Sequence, residues 1–299
     1  MTRDGPAARW QLLASGLAFG LMAALVRLAC RTRGGFSAPQ VSTLRFALGC
    51  LVMLALFRAR RGTFQPARPG LLVTRGVLGG AAAVLYFVAL AHIPAAEATL
   101  INNTFPILAT LVSIRTLGER PTFHLGVGLA VVALGVALVV GPGTPGAGLG
   151  VGELAAAGAA LAAGLSVTSI RALRTSSNAP TIFFAFCAGG LACSLPLSGG
   201  GWPVAPAAWL FALAAALLAT AGQLLMTSAY GALTVAEAAL WQQLTPVAAY
   251  GWAVGLLDEA LSPLAVAGMV VGVAGVAYGT AFGRQSAGAT PAMTAGRGA

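Results

Sequence analysis

Two amide pairs, Asn102–Asn103 and Gln242–Gln243, stand 140 residues apart in long apolar runs. Pro106 follows the first pair and Pro246 follows the second. Proline has no N–H for the carbonyl four residues earlier, so Pro106 releases the carbonyl of Asn102 and Pro246 that of Gln242. A freed carbonyl in hydrocarbon must be satisfied by protein, water or ligand. A bare kink needs the proline but not the amides beside it. The repeated coincidence therefore suits recognition of the ammonium and carboxylate groups of a small polar molecule. Asn102 and Gln242 are the first candidates for substrate contact. Asn103 and Gln243 stand beside them, because helical spacing does not say which amide of a pair points inward. Tyr86 and Trp241 are candidates for a side-chain pocket, since an aromatic ring offers a large apolar face with a polar tip. Gln223 and Ser166 complete the candidate substrate-binding set, at a similar depth in their own runs. Hydrogen bonding between helices is the alternative role for all of them.

Bond-making chemistry finds no support. The chain has no GxxxxGK[ST] phosphate loop, no HExxH and no Asp-rich pair. His92 and His124 are far apart, and Cys30, Cys50, Cys187 and Cys193 have neither metal spacing nor a disulfide pattern. The expectation is no catalytic residue, no cofactor, no metal and no enzyme. Glu97 and Glu237 open their runs, where an acid complements the helix dipole or guards a gate. Glu119 and Glu259 follow the same runs and read as loop residues. Arg45 lies inside an apolar run, where a charge must face protein or a water-filled cavity. It is expected to pair with Glu97, with binding of a substrate carboxylate as the alternative.

The elements that carry these residues are set by composition. Of 299 residues, 58% are hydrophobic and 8% charged, against roughly 25% charged in a soluble domain. The mean hydropathy is +0.87. Such a chain cannot cover a globule with polar surface, and it is far too apolar for disorder. A helix needs about 20 apolar residues to cross a bilayer. Breaks at Gly, Pro and Arg leave ten runs, near 10–30, 38–57, 71–91, 95–114, 122–140, 150–171, 180–198, 205–229, 235–256 and 262–282. Their continuity excludes the alternation of a membrane barrel. The first run is too long for a signal-peptide core and lacks a cleavage site, so it is read as a helix. The glycine- and proline-rich stretch at 141–149 reads as a linker, and 283–299 as a disordered tail.

All 17 basic residues are arginine, giving a net charge of +10. They are scattered through short loops, which argues against a nucleic-acid partner. With the N-terminus inside, thirteen arginines (Arg75 counted among them) fall on the inner side and three, Arg27, Arg31 and Arg33, on the outer. That asymmetry places both termini in the cytoplasm.

The halves also resemble each other at an offset of 140. Glu97, Leu100, Pro106, Leu117 and Glu119 fall on Glu237, Leu240, Pro246, Leu257 and Glu259, and Gly128 and Gly135 on Gly268 and Gly275. Ala38–Pro39 meets Ala179–Pro180 at an offset of 141. A five-helix unit duplicated this way is inverted in its second copy, because five is odd. Inverted repeats are a transporter architecture with the site near the midplane. The expected organisation is one repeat over 10–140 and a second over 150–282, an all-α membrane protein of ten transmembrane helices.

The pattern A-x-x-A-x-L-x-x-x-x-P, closed by an acid after the helix, occurs in both halves, and Thr43–Phe46 reads TLRF. These residues resemble the EamA-type branch of the drug/metabolite transporter superfamily, and the layout is similar to YddG-like amino-acid exporters. The resemblance covers residues 10–282. Its first helix departs from the pattern, reading AFG at 18–20 where many relatives show Trp-Gly, so no aromatic contact is carried over from there. The resemblance implies a secondary carrier in the bacterial inner membrane. It would export amino acids, aromatic ones among them, or related metabolites by alternating access, through a cavity bordered by helices one, three, four, six, eight and nine. A nucleotide-linked metabolite, a sugar or a lipophilic drug is the alternative cargo, and a passive channel the alternative mechanism. The expected partners are a small-molecule substrate and the lipid bilayer, with the chain as a monomer.

Overall fold

A computed structural model of the chain describes residues 5–59, 63–119, 122–140, 150–257 and 263–288. The regular structure of these residues is helical. The first half contains α1 (Gly5–Arg31), α2 (Ala38–Arg58), α3 (Pro69–His92), α4 (Ala95–Asn102), α5 (Phe105–Thr116) and α6 (Phe123–Val140). The second contains α7 (Val151–Leu173), α8 (Ala179–Ser194), α9 (Pro206–Ala229), α10 (Val235–Gln242), α11 (Leu244–Leu257) and α12 (Pro263–Gly288). Among them α1, α2, α3, α7, α9 and α8 with the short 3₁₀ turn after it are long and apolar enough to cross a membrane.

The starts of α2 and α8 show why the local sequence repeats. Ser37 caps α2 in a reciprocal box with Gln40, and Asn178 caps α8 by accepting from the N–H of Thr181 at 3.0 Å. Each cap is followed by Ala-Pro, with proline in the first turn, where its missing N–H costs nothing. The turn from α1 into α2 needs Gly34, whose φ is +66°.

Two expectations are corrected. The fourth and ninth runs are broken helices rather than continuous ones bent at a central proline. Pro106 is the second residue of α5 and Pro246 the third of α11. Proline is tolerated at the start of a helix and breaks its interior, so the chain restarts there instead of bending. The second correction is that α12 continues through Gly288, so residues 283–288, assigned by sequence to a disordered tail, are helical. The linker at 141–149, the remainder of the tail and Glu259 lie outside the described residues.

The packing has an internal correspondence. The largest interfaces join α1 to α9, α3 to α7 and α6 to α12. Exchanging each helix of the first half for its counterpart in the second turns α1–α9 into α7–α3, and α1–α11 into α7–α5. It leaves α6–α12 unchanged. Small residues permit these approaches. A Cβ on Gly128 would lie 2.9 Å from the carbonyl oxygen of Gly275, and one on Gly135 would lie 2.5 Å from that of Gly268. Alanines at 208, 212, 215 and 219 form the buried stripe of α9.

Candidate functional site

A cavity of about 110 Å³ lies where α4 and α10 end. α4 stops at Asn102, and the next residue, Asn103, is its C-cap; α10 stops at Gln242, with Gln243 as C-cap. The expected freed carbonyl of Gln242 is satisfied inside the protein. The Asn103 side chain donates to it at 2.9 Å, and the Gln243 side chain donates to the carbonyl of Asn103 at 3.1 Å. The two breaks are therefore tied to each other by side chains from both halves.

That tie divides the amides. Asn102, Asn103 and Gln242 line the cavity, whereas Gln243 does not. Gln242 is 4% exposed, and both its amide oxygen and its amide nitrogen lack a hydrogen-bond partner among the described residues. A buried amide with neither atom paired is costly. Of the amides the sequence named, Gln242 is the buried one with neither side-chain atom paired, while Asn103 and Gln243 bond across the breaks.

Tyr86 and Gln223 also line the cavity. Thr99 donates its hydroxyl to the carbonyl of Ala95 at 2.6 Å, so Tyr86, 2.7 Å from the same oxygen, is the donor of that second bond. The phenol oxygen keeps its lone pairs as acceptors. Trp241 does not line the cavity; its ring packs with the apolar cluster built around Leu12, Phe105 and Tyr230. Ser166 does not line it either. It stands behind Arg75, accepting from the guanidinium at 2.7 Å and donating to the Arg75 carbonyl at 3.2 Å.

Arg75 is the residue the sequence misplaced. The arginine tally sets it with the inner-side charges, yet within α3 it is 3% exposed and lines the cavity. Arg45, 6% exposed, lines it as well. Its expected pairing with Glu97 is not formed. The guanidinium carbon of Arg45 sits 5.4 Å from the ring centres of Phe46 and Phe87 and 5.5 Å from that of Phe186. That of Arg75 is 4.3 Å from the Phe186 centre. Cation–π contact stabilises a desolvated guanidinium by about 2 kcal/mol. Gly79 makes room for this arrangement, since a Cβ there would lie 2.8 Å from the guanidinium of Arg75 and 2.8 Å from the Phe186 ring. The resemblance implied walls from helices one, three, four, six, eight and nine. The structure adds the second and seventh long segments, through Arg45 of α2 and Phe186 of α8. An arginine at the head of an apolar run, followed four residues later by glycine, was the available signal for Arg75. Nothing in the sequence marked Phe186.

Charges close one end of the bundle. Arg9 of α1 holds Glu237 of α10 through two guanidinium nitrogens, with the Nε contact at 3.0 Å. Arg171 lies 3.6 Å from Glu119 and donates to the carbonyls of Tyr230 and Gly231. Glu119 also accepts from the N–H of Val235, the first residue of α10, at 3.0 Å. At the other end Arg27 donates to carbonyls at the end of α3, those of Leu90 and the C-cap Ile93. Among the described residues no group of three or more His, Cys, Asp and Glu is placed to hold a metal ion.

The model of the EamA-like transporter family matches residues 8–141 and again residues 150–279. The pseudopaline exporter CntI of Pseudomonas aeruginosa is 32% identical over 179 residues. That match spans 60% of this chain and 62% of the exporter. A solved crystal structure superposes with a TM-score of 0.75 at 22% identity, covering 94% of this chain and 99% of that one, a likeness of fold.

Proposed function

The chain belongs to the EamA-like transporter family, and from that premise we propose a secondary exporter of amino acids or similar small polar metabolites working by alternating access across the bacterial inner membrane. The observation that carries the proposal is the cavity bordered by two helix breaks, with the unpaired amide of Gln242 facing it. Discontinuous helices at a repeat interface present backbone and amide groups to a substrate without exposing them to lipid.

On this reading the chain crosses the membrane ten times, counting α4 with α5 and α10 with α11 as single crossings. The halves 10–140 and 150–282 are inverted repeats. The exchangeable interfaces and the family match, which falls once on each half, support it. Both termini are cytoplasmic, and the Arg9–Glu237 and Arg171–Glu119 contacts form the inner gate. Loading from the cytoplasm requires α10 to part from α1, and release outward requires α3 to part from Arg27. Asn102 and Gln242 supply polar contacts, Asn103 holds the break while lining the cavity, Tyr86 and Gln223 shape it, and Gln243, Trp241 and Ser166 support it from behind.

Flux in proteoliposomes, with a panel of labelled amino acids, tests this. Saturable uptake is expected, with the half-saturation raised at least tenfold by Asn102→Leu with Gln242→Leu at matched reconstitution. Wild-type rate and half-saturation in that double variant would place the site elsewhere.

A further inference from the structure

Arg45 and Arg75 form a pair of buried cations with no counterion among the described residues. Both line the cavity, both are nearly inaccessible, and both pack on the ring of Phe186. Their distances to that shared ring centre, 5.5 and 4.3 Å, hold the two guanidinium carbons within about 10 Å of each other, near enough for one small molecule to reach both by cation–carboxylate contact.

None of the described acids reaches them. Glu237 is held by Arg9, Glu119 by Arg171, and Glu97 and Glu153 are not among the cavity-lining residues. A guanidinium carries five N–H donors. Arg75 gives one nitrogen to Ser166, and its buried Nε has no partner; Arg45 has no hydrogen-bond partner among the described residues, only aromatic faces. Two charges taken out of water without opposite charges are strongly unfavourable. Like charges so close raise that cost. A site built this way is completed by what it binds.

We propose that the cavity selects an organic acid or amino acid carrying two carboxylates, one held by Arg45 and the other by Arg75; this rests on the cavity being the substrate site. The planar fork of each guanidinium matches a carboxylate with two parallel hydrogen bonds. Gln242, Asn102 and Tyr86 then serve the uncharged or ammonium-bearing part of the molecule, through amide and phenol oxygens. A zwitterion with one carboxylate leaves one arginine uncompensated. The loaded carrier is close to neutral at the site and the empty carrier is cationic there, so export moves net negative charge outward. A membrane potential of 100 mV, negative inside, favours that movement by roughly fifty-fold per net charge at equilibrium.

The experiment uses the full chain in proteoliposomes and four labelled probes of similar size: glutarate, glutamate, glutamine and leucine. Glutarate and glutamate should bind and move with half-saturation at least tenfold below glutamine and leucine. Arg45→Gln and Arg75→Gln should each erase that preference, and Arg45→Lys, which keeps the charge but loses the fork, should retain part of it in case the glutamine variants fold poorly. An imposed inside-negative potential should accelerate glutarate efflux and leave glutamine efflux unchanged. Glutamine or leucine handled as well as the diacids would overturn the two-carboxylate assignment while leaving the transport reading intact. Saturable flux confined to the diacids but insensitive to both arginine variants would also overturn it. If none of the four probes binds or moves, the two-carboxylate assignment falls together with the amino-acid reading.

Discussion

The side chain of Asn103 donates to the backbone carbonyl of Gln242 at 2.9 Å, from one half of the molecule to the other. The receiving carbonyl is the one that Pro246 leaves without a helical donor. Gln243 returns a bond to the carbonyl of Asn103 at 3.1 Å. Each half thus bonds a carbonyl at the other's break, while the Gln242 side chain has neither its oxygen nor its nitrogen paired among the described residues. The bonds across the break and the unpaired side chain at the cavity fall to neighbouring amides.

The division predicts different phenotypes for neighbours. Asn103→Leu leaves the Gln242 carbonyl buried without its donor, a loss of about 1–3 kcal/mol. Its melting temperature in detergent should fall clearly. Asn102→Leu should leave the melting temperature near wild type and raise the half-saturation for substrate. Equal melting temperatures for the two variants would refute the assignment.

The contact of Arg9 with Glu237 should govern access from the cytoplasmic side. It is partly exposed, with side-chain accessibilities of 17% and 21%, so its contribution to stability is about 1 kcal/mol. Glu237→Gln should therefore fold normally yet expose the cavity more often to a thiol reagent entering from the N-terminal side, read at Gln223→Cys. Reversing the pair, with Arg9→Glu and Glu237→Arg together, should restore protection.

Close packing between α6 and α12 should not tolerate a larger side chain. A Cβ on Gly135 would meet the carbonyl oxygen of Gly268 at 2.5 Å, a backbone atom that cannot swing away. Gly135→Val should cost about 1–3 kcal/mol by overpacking, seen as lower yield of monodisperse protein. Gly126→Val, where a Cβ meets nothing within 4 Å, is the matched control.

Orientation is open to labelling in whole cells. Thr32→Cys, just past α1, should react with an impermeant thiol reagent added from the periplasm, in a background with the native cysteines replaced. Ser286→Cys, near the end of α12, should react only after permeabilisation. The opposite pattern would invert the proposed topology.

Composition and hydrophobic continuity determined the helical class and the location of nearly every helix, because a long apolar run can satisfy its backbone in a bilayer only as a helix. The duplicated proline, acids and amide pairs also marked the region where the cavity lies, since a polar group at that depth calls for a partner. Yet the sequence could not say that the prolines break the helices rather than bend them, which depends on side chains of the opposite half capturing the freed carbonyl. Nor could it separate Gln242 from Gln243, one residue apart, because only the tertiary structure turns the Gln243 side chain across the break and the Gln242 side chain to the cavity. Arg75 shows the same limit most sharply. By position it is one more arginine near the head of a run; by tertiary structure it faces the cavity, because Gly79 opens space for it, Ser166 of α7 anchors it, and Phe186 of α8 covers it. Those three contacts join residues up to about a hundred positions apart, and only packing brings them within reach of one another.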